Sequence, residues 1–337
     1  MFSMNFELAK ISSTELQKFY NDFSGAKTFL QTAKFGKFRE ILGEKNIILG
    51  ILADGKLIGV AQTQKIVAKR GTFLHVAHGP LIFAGFLGEA LPFFLREIKK
   101  IGRQEKCDFV RISPLLSEKN QIAFAHENFR KAPLHINPDR TWVLDLTQSE
   151  EEILKNMKKS NRYEINRIER SGIEVITGNS RENLDIFWKL HLETVKRQGF
   201  TPFSRKTTET ELEVFGDDCQ IFSAKIGNEF LSSSIIIFDN FAGYYHQGSS
   251  VYSKFPVAHA SLWAGILEAK KRGCREFNFW GVSPVENEKH PWTGLSRFKR
   301  KFGGEERTYL AAQDYPLTIK YWLNWAVETW RKKKRGY

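Results

Sequence analysis

Cysteine is scarce in this chain, and Cys107, Cys219 and Cys274 fall in no C-x-x-C spacing. An odd, sparse set of thiols excludes a disulfide-stapled scaffold and points to a reducing compartment. Long apolar runs are missing too. No stretch approaches the roughly 20 apolar residues that span a bilayer. Met1 to Lys10 has no charged start followed by the apolar core that directs secretion. A cytoplasmic protein is expected, with contact at the inner face of a membrane left open. The patterns G-x-x-x-x-G-K-[ST], H-E-x-x-H and G-x-S-x-G are absent, which removes the chemistries they carry. His75 and His78 lie three apart in a strand-like run, a spacing that sends them to opposite faces, so no metal site is expected.

What is present is ample apolar material and a strong positive charge. At 337 residues, 42% hydrophobic with 28 Phe and 8 Trp, the chain has enough for two cores, and single cores stop growing near this length. A formal net charge of +13 favours polyanionic partners.

The chain also repeats itself. Residues 46–53 (NIILGILA) read as a strand, Asp54-Gly55-Lys56 as a hairpin turn, and 57–66 and 72–83 as two further strands. A helix from about Gly88 to Glu105 and a strand at 107–112 follow. The second half gives the same order. It has strands at 219–226, 230–238 and 242–248, with a turn at Gly227-Asn228-Glu229 after the first. A helix then runs from Val257 to Arg272, capped by Gly273, and a closing strand begins at Cys274. Helix then strand at the end of each unit predicts mixed sheets flanked by helices, an α/β (α+β) fold of two tandem domains similar to the acyl-CoA N-acyltransferase (GNAT) arrangement. Residues 141–146 (TWVLDL) read as a strand returning to the first sheet. Ser149 to Glu152 then form a capping box. The division is expected at residue 148, giving domains 1–148 and 149–337.

After that boundary, a helix from Ile153 to Ser171 is expected, with Leu154, Met157, Ile165 and Ile168 on one face. Lys155, Lys158, Lys159 and Arg162 make its remainder basic, either a stripe for the phosphates of an RNA or an ordinary solvated face.

Four stretches, taken in order, resemble the FemABX family of tRNA-dependent aminoacyltransferases. They are Gln31-Thr32-Ala33-Lys34-Phe35-Gly36-Lys37, the run KKSNRYEINRIERSGIEV at 158–175, YYHQGSS at 244–250 leading to FNFWGV at 277–282, and Phe298-Lys299-Arg300-Lys301-Phe302-Gly303-Gly304. The last is similar to the family's F-K-x-x-F-G-G terminus. The resemblance implies transfer of an amino acid from aminoacyl-tRNA to the stem-peptide amine of lipid II or UDP-MurNAc-pentapeptide. The charged tRNA is then a co-substrate and no bound cofactor is needed. Only short spacers stand where larger members insert a helical hairpin, so this is expected to be the compact form.

By the same resemblance Lys299 is the catalytic cation, facing the negative charge that builds on the carbonyl and then on the departing ribose oxygen. Lys37 or Arg39 in the first half and Arg205 in the second match the family's phosphate-contacting positions, and a guanidinium can hold a diphosphate with two parallel bonds. Lys155, Lys158, Lys159 and Arg162 are the candidates for tRNA. Tyr244 and Tyr245 are candidates for contact with the substrate; they alternate on a strand, so one faces the cleft side and the other the core. His246 and His259 are candidate proton relays. Ser113 stands before Pro114 where some members carry an acid, so a carboxylate base is not expected there. Neither unit shows a Gly-rich pyrophosphate loop. Ile319, Trp322, Leu323, Ala326 and Trp330 form a helical stripe followed by Arg331-Lys332-Lys333-Lys334-Arg335, which suits either an anionic membrane interface or a packed helix with a solvated tail. Two other activities share this framework: N-acylation of a polysaccharide or small-molecule amine, and binding of RNA or membrane without catalysis.

Overall fold

The computed structural model describes residues 4–199 and 202–335, the last without its side chain. In the first half, β1 (Phe6–Lys10), α1 (Ser13–Asp22) and α2 (Ala33–Ile41) precede the hairpin β2 (Lys45–Ala53) and β3 (Lys56–Ala68). Asp54 (φ 47°) and Gly55 (φ 75°) make its turn, both left-handed as a tight two-residue hairpin requires. Then come β4 (Gly71–Ala77), β5 (Leu81–Ile82), α3 (Leu87–Gln104), β6 (Phe109–Ser113), α4 (Gln121–His126) and β7 (Arg130–Lys131).

The second half opens with β8 (Arg140–Asp145), α5 (Glu150–Asn156), α6 (Lys159–Arg167), β9 (Ile173–Gly178), α7 (Arg181–Gln198) and α8 (Arg205–Phe215). The repeat proper is β10 (Cys219–Ile226), β11 (Glu229–Phe238), β12 (Ala242–Ser250), α9 (Val257–Lys271) and β13 (Glu276–Gly281). The chain finishes with α10 (Thr293–Arg300), β14 (Glu305–Thr308), β15 (Gln313–Pro316) and α11 (Lys320–Arg335). The repeated order strand–turn–strand–strand–helix–strand is therefore present in both halves. The Ser149–Glu152 capping box forms with both of its hydrogen bonds, and Gly273 (φ 78°) follows α9.

Two sheets result, ordered β1-β2-β3-β4-β6-β15-β7 and β14-β8-β13-β12-β11-β10-β9. In each, one parallel pair (β4 with β6, β12 with β13) joins the hairpin to the strand after the helix. In the first core α3 buries Leu91, Phe94, Leu95 and Ile98 among Leu49, Leu74 and Val110; in the second α9 buries Leu262, Ile266 and Ala269 among Phe222, Ile236 and Phe277.

Two expectations about chain routing are corrected. The strand at 141–146 does not return to the first sheet: β8 pairs antiparallel with β13, in the second. The equivalent place in the first sheet, beside β6, is filled by β15 from near the end of the chain. The compact units are accordingly residues 1–139, 288–291 and 308–337, and residues 140–287 and 292–307, rather than 1–148 and 149–337. Strand pairing across the repeat, not the capping box at Ser149, sets the division.

The expected helix 153–171 is also broken. Met157 and Lys158 are extended (ψ 151° and 141°), because Met157 turns into the second core and the Lys158 N–H bonds the Lys301 carbonyl at 3.0 Å. Two short helices and a 3-10 turn stand in its place.

A buried ion network fixes α11 to the first unit. The Arg111 guanidinium donates to both carboxylate oxygens of Asp314 at 2.7 Å and reaches Glu328 of α11 at 2.8 Å, while the Tyr321 hydroxyl donates to Asp314. Removing one partner leaves an uncompensated charge in the interior, so Asp314→Ala is expected to cost about 3–5 kcal/mol. Pairing it with Arg111→Met should recover most of that loss. Urea unfolding of the two variants measures the difference, and equal midpoints would show that the network carries no such weight.

Candidate active site

The site grows from the place where β12 and β13 part. They pair only through Ala242–Tyr244 and Glu276–Asn278, whereas β4 and β6 stay paired over five residues, Phe73–Ala77 with Phe109–Ser113. Beyond Asn278, β13 bulges before rejoining β8 at Gly281. Trp280 there takes a left-handed conformation (φ 64°), a costly backbone for a bulky residue that tends to mark functional sites. The bulge is held by Thr141 and Asn278: the Thr141 hydroxyl donates to the Trp280 carbonyl and the Trp280 N–H donates to the Asn278 side chain.

Lys299 occupies this fork. Its Nζ donates to the Gly281 carbonyl at 2.8 Å on one strand and lies 5.6 Å from the centre of the Tyr245 ring on the other. The side chain is 4% exposed. Helix α10 thus buries Ser296 and Lys299, three residues apart, while leaving Leu295 45% exposed. A helix that takes its cation inside and its leucine outside is not organised for stability alone. Burial pulls the Lys299 ammonium down to about 7, so amine and ammonium coexist near neutral pH.

The rest of the F-K-x-x-F-G-G run holds this lysine in place. Phe302 is buried against Phe298 and Phe279, with ring centres 5.3 and 5.4 Å away. Gly303 and Gly304 follow at φ 84° and 90°, and a Cβ on Gly304 would run into the Val143 carbonyl. Only glycine lets the chain leave α10 so close to β8. Trp142 of β8 closes the turn, its indole N–H donating to the Gly303 carbonyl at 2.6 Å.

The alternation of the two tyrosines is resolved. Tyr245 faces Lys299, and burial pushes its phenol up to about 12 with a hydrogen bond to Ser234 opposing. Tyr244 is on the other side, its hydroxyl donating to Asp239 at 2.9 Å and its ring edge-on to Trp280. The two candidate relays are engaged elsewhere. His246 meets Glu211 at 3.0 Å. His259 contacts the Asn161 side chain at 3.2 Å among Phe298 and Phe302, and burial holds it near 4, hence neutral at pH 7.

The other predicted residues have the following surroundings, each within its own unit. Lys37 is exposed on α2, and Arg39 is paired with Glu44. Arg205 opens α8 with its guanidinium between Asp185 and Glu209; Phe200, part of the stretch that led to it, lies outside the described residues. Lys155, Lys158 and Lys159 are exposed on α5, α6 and the break between them, with Arg162 donating to the Lys155 carbonyl. Lys158 also lines a cleft of about 760 Å³ in the second unit, together with Trp142, Arg275, Arg300, Arg307 and Glu276. His75 and His78 are buried on separate partners, Ser113 and Thr28 respectively. Sequence reasoning missed the Trp280 bulge, the Gly281 carbonyl and the Arg300 guanidinium that lies 5.6 Å from the centre of the Trp142 ring; a Trp-Gly pair ending a strand was the one available cue.

Twin mixed sheets, each with a parallel strand pair and one of them forked over a buried cation, define a tandem acyltransferase-type fold. The FemAB family profile matches residues 11–235 and 222–328, and the chain belongs to that family. Among curated relatives, the lipid II:glycine glycyltransferase of Staphylococcus haemolyticus is 27% identical over 51% of this chain and 43% of its own length. The chain thus spans less than half of that relative. Aminoacyltransferase FemB of Staphylococcus epidermidis is 21% identical over 97% of this chain and 99% of its own. Among solved structures, FemX superposes with a TM-score of 0.82 at 18% identity, over 96% of this chain and all of that one. A tandem GNAT protein from the clavulanic acid pathway superposes at 0.58 with 10% identity, over 93% and 98%. These likenesses establish the tandem GNAT fold.

Burying Lys299 has a stability signature. Its folded value lies below the unfolded one near 10.5, so between about pH 7 and 10.5 the unfolded chain binds more protons and folding strengthens as pH rises. Below 7 the full burial penalty applies. Lys299→Met is therefore expected to be more stable than the parent, by roughly 1–3 kcal/mol at pH 6, with the gain vanishing toward pH 10. A gain independent of pH in thermal unfolding would show that Lys299 is not desolvated.

Proposed function

We propose that this protein moves an aminoacyl group from aminoacyl-tRNA to the stem-peptide amine of a peptidoglycan precursor, lipid II or UDP-MurNAc-pentapeptide. The observation that carries this reading is Lys299 at the β12–β13 fork, buried, held by the Gly281 carbonyl and poised near neutrality. The activities named for the FemB and lipid II:glycine glycyltransferase relatives support it.

The chemistry is an exchange of an ester for an amide. The amine attacks the ester carbonyl, the C–N bond forms as the C–O bond breaks, and one proton passes from nitrogen to the departing ribose oxygen. The Lys299 ammonium stabilises the oxyanion and delivers that proton, and the resulting amine accepts the one released by the new amide nitrogen. The ester is already activated, so no resident cofactor is required and positioning supplies much of the rate. Lys155, Lys158, Lys159 and Arg162 are proposed to meet tRNA phosphates. Lys37, Arg39 and Arg205 are proposed to meet the precursor, the two arginines by exchanging Glu44, Asp185 or Glu209 for its phosphate oxygens.

Incubation with charged tRNA pools and UDP-MurNAc-pentapeptide, followed by mass spectrometry, tests the assignment. A gain of one amino acid residue supports it. A gain only with acyl-CoA, or tRNA binding without turnover under any donor, refutes it. Lys299→Met should lower kcat by about 10²–10³ with precursor affinity nearly unchanged; equal losses in both would reassign Lys299 to binding.

A further inference from the structure

Helix α11 wears its amphipathicity inside out. The side chains it turns toward the first sheet are Tyr321, Asn324 and Glu328, the last two hydrogen-bonded to each other at 3.1 Å and Glu328 also to Arg111. The opposite face, one full helical stripe, carries Ile319, Leu323, Ala326 and Trp330, with Trp322 at its margin. Ile319 is 86% exposed, Leu323 64% and Trp330 59%. A helix on a water-soluble surface has the reverse arrangement. Within α11 the one acidic residue is Glu328, which faces inward, so no carboxylate of this helix interrupts the outer face.

The charged residues of α11 that flank this face are cationic. Lys320 follows Ile319 at the start of α11, and Arg331, Lys332, Lys333 and Lys334 follow the stripe, with the Lys334 ammonium 5.0 Å from the Trp330 ring centre. The exposed Arg130 of β7 stacks its guanidinium 4.6 Å from the centre of Trp322. Indole rings and aliphatic side chains bordered by cations match the layer of a bilayer where acyl chains meet anionic headgroups. RNA would use the cations but leave Ile319 and Leu323 in water. No helix among the described residues is long and apolar enough to cross a membrane, so the contact belongs in the interfacial plane.

We infer that α11 seats its outward face on an anionic lipid bilayer, with Ile319, Leu323 and Trp330 entering the interface and Arg331 to Lys334 meeting the headgroups. The Arg111–Asp314–Glu328 network is the mount: it holds the helix by its polar side and leaves the apolar side for lipid. The docking itself is independent of the transfer chemistry. Combined with the proposed function, on which this last step rests, it selects the lipid-linked acceptor over the soluble one.

Co-sedimentation of the whole chain with vesicles tests the docking without any activity readout. Binding to phosphatidylcholine vesicles containing about 30% phosphatidylglycerol should exceed binding to pure phosphatidylcholine by roughly tenfold and weaken as salt is raised. The double variant Leu323→Glu, Trp330→Glu should lose roughly tenfold of that binding, while Ile122→Glu, at an exposed apolar residue of α4, should lose none. Circular dichroism of all three confirms that they fold. Undiminished binding by the double variant, or no preference for anionic vesicles, overturns the inference. So does a concentration-dependent dimer that the double variant abolishes while the parent ignores vesicles, since the occupant is then a second copy. Failure of the mass-spectrometric transfer assay would leave vesicle binding standing, and the reverse also holds.

Discussion

A single ammonium group held out of water at a fork between two strands organises the second unit. For Lys299 to sit there, β12 and β13 must separate after three paired residues, Gly281 must turn its carbonyl inward, and Trp280 must accept a left-handed backbone. Each of these costs stability. The cost is offset by the packing of Phe302, Phe298 and Phe279 beneath α10 and by the glycine pair that brings the exit of the helix against β8. In the first unit the equivalent strands stay paired over five residues. The two halves share a topology, yet the fork belongs to one of them.

Part of this is legible in the sequence. Local signals sufficed for the hairpin at Asp54-Gly55, the cap at Ser149 and the helix ending before Gly273, because each depends on residues within a few positions. The repeated order and the tandem fold follow from those signals taken together. The role expected of Lys299 rests on the F-K-x-x-F-G-G resemblance; its burial in the fork does not follow from that or from periodicity, which puts a lysine on the solvent side of α10.

What was illegible is non-local. The sequence TWVLDL says strand, but nothing in it says which sheet; the choice is made by β13, more than 130 residues later (Asn278 opposite Val143). The helix expected from Ile153 to Ser171 has sound helical spacing throughout. It breaks because the Lys158 N–H finds a better partner in the Lys301 carbonyl. Likewise the spacing of Tyr244 and Tyr245 separates them without saying which one meets the lysine. Arg205 and Arg39 show a further limit: their residue type suits phosphate, yet in the free protein neighbouring carboxylates already hold them.

The exchange of β8 and β15 bears on how the polypeptide is made. When the ribosome has released the first 139 residues, the sheet they build still lacks the strand that belongs beside β6, and that strand is synthesised some 170 residues later. Until then β6 presents unpaired N–H and carbonyl groups along one side, an edge that invites pairing with another nascent chain. The N-terminal half therefore cannot finish folding as it emerges. Completion of the first sheet awaits the arrival of Gln313 to Pro316, after the last strand of the second sheet, Glu305–Thr308, has already been made.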